Sequence, residues 1–185
     1  MDTLPRWLTA EREQWRSCAE TFCKYASAVF KAAFLGMFLC HALFLFYGYT
    51  SPDGTNEGLF YYWNQNWALS IGRWMMRYLS AAGCNVVMPA IFLAFNAACT
   101  ATAMLLLADL WHIESKPLLI LSTVSLVVAP SVIEQHLVIY MAYVYGFSLL
   151  MTVLASYLVL TKRGWPSSVV AVLALACGMG GYQAW

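Results

Sequence analysis

The chain has 185 residues, 62% of them apolar and only 10% charged, with a formal net charge of +1. A soluble domain is nearer half apolar and a quarter charged, so a mean hydropathy of +0.65 excludes a chain built mainly of soluble domains. The near-zero net charge excludes bulk electrostatic attraction to nucleic acid.

Residues 1–31 are dense in mixed charge, with Arg6, Glu11, Arg12, Glu13, Arg16, Glu20, Lys24 and Lys31. Leu4, Leu8, Trp15, Ala19 and Phe22 share one face at helical spacing, and the charges lie opposite. That pattern predicts an amphipathic helix on the cytoplasmic membrane surface. The apolar run that follows ends at Tyr49 and a Pro-Asp-Gly turn, not at a small-residue cleavage site. It is expected to stay as a membrane helix.

Crossing about 30 Å of hydrocarbon takes roughly 20 apolar residues as helix. Five runs qualify: Ala32–Tyr49, Val86–Ala108, Pro117–Ile133, Leu137–Leu160 and Ser167–Gln183. The expected fold is all-α, a polytopic bundle of about five spans with interfacial amphipathic helices. With the N-terminus inside, eight of the ten basic residues fall on the inner side, and only Arg73 and Arg77 fall outside. The positive-inside rule therefore predicts a cytoplasmic N-terminus. The membrane part, 32–185, then has a long outer loop at 50–85 and a short one at 131–137.

Three polar spots fall on the predicted outer side. The first is Ser51-Pro52-Asp53-Gly54, a β-turn sequence in which Pro presets φ and Asp and Gly favour the later positions. Asp53 is either part of a simple turn or a carboxylate held at the membrane surface as a general base. Glu57 is a second candidate on the same loop. The second spot lies in Leu69-Ser70-Ile71-Gly72-Arg73-Trp74-Met75-Met76-Arg77. Residues 67–82 read as a helix on the bilayer, with Trp67, Ile71, Trp74, Met75 and Tyr78 on one side and Arg73 and Arg77 sharing a face. The two arginines either snorkel to lipid headgroups or clamp a phosphate, whose oxygens match the guanidinium fork. The third spot is Glu134-Gln135-His136, either a solvated turn or a second acidic arm. Such an arm could orient a sugar, or hold a divalent cation through carboxylate oxygens.

His41 and Asn96, polar residues inside spans, are expected to face the bundle. Gln183 is placed near the outer surface, where it could reach a site. Asp109, His112 and Glu114 are expected to be solvated on the inner side. Cys18, Cys23, Cys40, Cys84, Cys99 and Cys177 show no C-x-x-C spacing and read as buried apolar groups or free thiols. No nucleotide-binding or zinc-protease motif occurs, which leaves a divalent cation as the one cofactor the sequence admits.

The ordered set of motifs is the Ser-Pro-Asp-Gly loop, the Leu-Ser-Ile-Gly-Arg-Trp segment, the Glu134 loop and a last span ending Gly181-Tyr182-Gln183-Ala184-Trp185. Over about residues 30–185 it resembles the bacterial O-antigen (serotype-converting) glucosyltransferases, polytopic enzymes similar to the GT-C class. The resemblance implies transfer of glucose from a polyprenyl-phosphate carrier to a cell-surface polysaccharide, at the outer face of the bacterial inner membrane. It implies Asp53 as base, Glu134 as the second-loop acid, and Arg73 near the donor phosphate. Members of that family are longer, so this chain is expected to be an N-terminal portion. The partners implied are the carrier-linked sugar, the acceptor glycan and membrane lipids. The leading rival is a non-catalytic lipid-binding or assembly subunit of a glycan pathway. A transporter is a weaker rival, because the spans carry few ionisable groups.

Overall fold

The computed structural model describes residues 6–47, 69–70, 72–82, 89–129, 142–161 and 164–181. The described residues form an all-α bundle. Its helices are α1 (Arg6–Tyr47), α2 (Trp74–Ala82), α3 (Pro89–Leu110), α4 (Lys116–Val128), α5 (Ala142–Thr161) and α6 (Trp165–Gly181). Five of them match the predicted runs. By length and apolarity, α1, α3 and α5 can each cross a membrane, while α4 and α6 are shorter apolar helices of 13 and 17 residues.

Proline marks several starts. Pro89 opens α3, Pro117 sits in the first turn of α4, and Pro166 is the second residue of α6. A first-turn proline lacks only an N–H that the helix would leave unpaired anyway. Helix α3 ends sharply. Ile113 N donates to Ala108 O at 2.9 Å, His112 N donates to Asp109 O at 3.3 Å, and His112 has φ 52°. This left-handed cap satisfies the last carbonyls and turns the chain directly into α4.

Helix α1 departs from expectation. It runs unbroken for 42 residues, about 63 Å at 1.5 Å per residue, so the stretch before Lys31 and the first span are one rod. The reason is local: no proline occurs between Arg6 and Tyr47, and Gly36 is the one glycine. The face it buries also differs from the predicted one. Trp15 is 49% exposed and Ala19 is exposed, and of the described members of the expected apolar face only Phe22 packs into the core. Cys18, Tyr25, Val29, Ala33, Met37 and His41 point inward instead, mostly four residues apart.

Helix α3 is the centre. It packs against α1 and α5, and more lightly against α4, while α6 packs on α5. Thirteen of its 22 residues are buried, which suits a helix apolar all round. Val29, Ala33 and Met37 of α1 meet Leu93, Ala97, Ala101 and Leu105 of α3, with Leu119 and Val127 of α4 closing that core. Cys18, Leu106, Tyr157, Leu158 and Ala171 form a second core joining α1, α3, α5 and α6. Asn96 and His41 are buried, as expected of polar groups in spans.

The outer surface of the bundle is apolar. Phe34, Leu35, Phe38 and Leu39 of α1, Ile91 and Phe95 of α3, and Val172, Leu173 and Leu175 of α6 are exposed. Water would penalise so broad an apolar surface, whereas lipid covers it. Hydroxyls in these helices turn back on their own backbone. Thr102, Thr123, Thr152 and Thr161 each donate to the carbonyl four residues earlier, at 2.6–2.9 Å. That geometry satisfies a polar group where no water is at hand. Cys18, Cys23, Cys40, Cys99 and Cys177 are free thiols, and Cys84 lies outside the described residues.

Candidate functional site

The helices alternate in direction, so the bundle has two ends. At one lie the start of α1, the end of α3, the end of α5 and the start of α6. Glu11 of α1 accepts from Gly164 N at 3.1 Å and from Ser167 Oγ at 2.7 Å, at the first turn of α6. At the opposite end the starts of α3 and α5 meet, with Phe92 and Tyr143 ring centroids 4.5 Å apart. There the last turn of α6 lies against the first turns of α5, Gly181 touching Val144 and Ser148.

The helix termini next in sequence to most of the expected site residues lie at this opposite end. Asp53 and Glu57 follow the end of α1. Glu134 and His136 lie between the end of α4 and the start of α5. Gln183 follows the end of α6 by two residues. All five lie outside the described residues, as does Trp67.

Arg73 and Arg77 are described. The single helix expected over 67–82 is interrupted. Gly72 has φ 80° and donates its N–H to Leu69 O at 3.1 Å, and α2 begins only at Trp74. A left-handed residue cannot continue a right-handed helix, and glycine is the residue that takes this conformation without strain. Arg73 therefore stands just before the first turn of α2, its carbonyl accepting from Met76 N at 3.2 Å. Arg77 lies within the helix. Arg73 is half-buried and Arg77, four residues on, is exposed. Met76 is 1% exposed and Tyr78 62%, so α2 buries Met76 while part of the predicted aromatic side stays open. The start of a helix carries unpaired N–H groups and a partial positive charge. A guanidinium placed there suits a phosphate.

Helix α2 is held by α6. A Cβ at Gly180 would collide with Nε1 and Cε2 of the Trp74 indole. Gly178 and Gly181, three apart, face α5 instead, against Thr152 and Ser148. These glycines were not singled out as sites. The signal that marks them is the run Gly178-Met179-Gly180-Gly181 at the end of an apolar helix, since small residues let helices approach closely.

The other end holds a second polar cluster, and it overturns the expectation that Asp109 is solvated. Asp109 is 2% exposed. Its Oδ1 accepts from Ser17 Oγ at 2.9 Å and Thr21 Oγ1 at 3.0 Å, and its Oδ2 from Tyr157 OH at 2.6 Å and Gln14 Nε2 at 3.3 Å. Two carboxylate oxygens offer about four acceptor sites, and protein donors fill them. Asp109 is thus an anchor and not a free base. A cleft of about 230 Å³ opens beside it, lined among others by Glu20, Lys24, His112 and Glu114. Tyr25 OH adds a 2.5 Å bond to the Glu114 carbonyl. The missed signal is the 3–4 spacing of Gln14, Ser17 and Thr21, a polar stripe that needs a partner. Among the described residues no His, Cys, Asp or Glu cluster has the arrangement of a metal site.

Comparison with protein families shows that residues 42–185 match the family described as Glucosyl transferase GtrII. Comparison with curated proteins and with solved structures returned no match.

Proposed function

The chain belongs to the GtrII glucosyl transferase family, and from that premise we propose that it moves glucose from a polyprenyl-phosphate carrier to a surface polysaccharide such as O-antigen. In this reading the acceptor hydroxyl attacks the anomeric carbon of the donor glucose. Asp53 takes the hydroxyl proton as the new C–O bond forms. The bond from the anomeric carbon to the phosphate oxygen breaks, and polyprenyl phosphate leaves with the electron pair. Arg73 and Arg77 stabilise the charge gathering on that phosphate. Glu134 assists as a second acid, with Glu57, His136 and Gln183 as further contacts to sugar or carrier.

The observation that carries this reading is the common departure point of the segments. The segments bearing Asp53, Glu134 and Gln183 leave from helix termini at the same end of the bundle at which α2 brings Arg73. The opposite end carries most of the basic residues. The reading therefore includes an inner-membrane protein with a cytoplasmic N-terminus and an outward-facing donor site.

The test is transfer and binding of polyprenyl-phosphate glucose by the protein in lipid nanodiscs. Asp53→Asn is expected to lower transfer by about 100-fold or more, the usual contribution of a positioned base, while donor binding persists. Arg73→Ala is expected to weaken donor binding. Unchanged transfer by Asp53→Asn overturns the base assignment. Loss of function with Arg73→Ala alone points to a lipid-binding or assembly subunit.

A further inference from the structure

We propose that Gly180 and Trp74 form a joint that sets the position of Arg73, and that Gly180 is a positioning residue for recognition of the carrier phosphate. The functional half of this statement rests on the donor-site reading above. The joint itself rests on geometry.

Helix α2 is short, nine residues, and Gly72 breaks the chain just before it. So short a helix has little stability of its own, and its place must be set by contacts with the bundle. Helix α6 is its main partner among the described bundle helices. At the point of contact the Trp74 indole covers Gly180, so closely that a single added methyl would overlap the ring. Trp74 is the residue directly after Arg73. Between the Arg73 backbone and the seated indole lie the backbone torsions of one residue link and the two side-chain torsions of Trp74, which the close contact with Gly180 restricts. An indole pushed off this seat without leaving its rotamer displaces the Trp74 backbone, and Arg73 with it.

The placement of the glycines supports this division of labour. Gly178 and Gly181 face α5 and fix how α6 sits in the bundle. Gly180 is turned about 100° from Gly181 on the helix wheel, and its nearest neighbour is the Trp74 indole of α2. Substitution at Gly178 therefore perturbs bundle packing, whereas substitution at Gly180 perturbs the seat of α2. The two can be told apart by experiment.

The experiment uses the full chain in lipid nanodiscs, with two readouts. One is phenylglyoxal modification of Arg73 and Arg77, resolved by peptide mass spectrometry. It reports where Arg73 sits and is independent of any activity. The other is binding of polyprenyl-phosphate glucose. Gly180→Ala is expected to raise modification of the half-buried Arg73 several-fold, with little change at exposed Arg77, and to weaken donor binding about tenfold. Trp74→Leu is expected to raise Arg73 modification too, since it empties the seat. The double variant restores volume on one side as it removes it on the other, so it is expected to lie nearer wild type than either single change. Gly178→Ala, a clash against Thr152 and Ser148, is expected to leave Arg73 modification unchanged in the folded fraction.

Unchanged Arg73 modification in Gly180→Ala overturns the joint, as does an equal change in Gly178→Ala or simple additivity in the double variant. If Gly180→Ala does not fold, Trp74→Leu decides, because it introduces no overlap. If the modification pattern follows expectation but neither Gly180→Ala nor Arg73→Ala alters donor binding, the joint stands and the donor-site reading fails.

Discussion

Two aspartates differ in how far local sequence speaks for them. Asp53 follows a proline in a turn sequence, and its environment is not written in the neighbouring residues. Asp109 follows the run Leu105-Leu106-Leu107-Ala108, at the inner end of a span where solvent is the expectation. Instead four donors from α1 and α5 converge on it. Sequence periodicity reveals that Gln14, Ser17 and Thr21 share a face, but not that a carboxylate 88 to 95 positions away meets that face. The bonds differ in accessibility, and this yields a prediction. Tyr157 is fully buried. Tyr157→Phe leaves Asp109 Oδ2 with the Gln14 bond alone and is expected to cost about 2 kcal/mol, as for a bond to a charged group. Ser17 is only half-buried, so water can replace its hydroxyl. Ser17→Ala is expected to cost about 1 kcal/mol or less. Thermal unfolding of the two variants in one detergent checks the order. Equal midpoints would mean that the cluster contributes little.

Among the elements, the apolar helices were legible because their lengths and composition leave one reading in lipid. Their joints were not. Composition changes at Lys31, and that change suggested a boundary between a surface helix and a span. Backbone continuity, however, is decided by breakers, and none stands there. Conversely, the aromatic pattern of 67–82 suggested one helix, and the single Gly72 divides it. The polar half of α1 lies before residue 42, where the family match begins. It fastens to α3, α5 and α6 by Asp109, Tyr157 and the Glu11 bonds. If the rod is continuous, Lys31→Pro must break it. The substitution removes a backbone hydrogen bond and costs about 3 kcal/mol or more in a helix interior. The expected signature is a lower unfolding midpoint and faster maleimide labelling of buried Cys18, with exposed Cys23 as the internal reference. A proline tolerated at 31 without either change would mean that the two halves of α1 do not act as one.

For the whole molecule, the candidate site was legible as a set of loops but not as a geometry. Spacing tells which side of a membrane a connection falls on, given alternating helices. It does not tell how Asp53, Glu134 and Arg73 approach one another. What the fold adds is the seat of α2 on α6, a contact between residues 74 and 180 that no local pattern foretells. The functional reading then stands on sidedness, because a donor site and the Asp109 anchor must lie on opposite faces of the bilayer. Cys23 is an exposed thiol near the anchor end, and Arg77 is an exposed position at the other. In a background with Cys23 as the single thiol, a membrane-impermeant maleimide is expected to label inverted vesicles and not spheroplasts. With Cys23 removed and Arg77→Cys introduced, the pattern is expected to reverse. Labelling of both positions from one side would break the alternation of helices on which the site depends. Both patterns inverted would keep the bundle but turn the arginines towards the cytoplasm. A carrier used at the outer face could not then be their ligand.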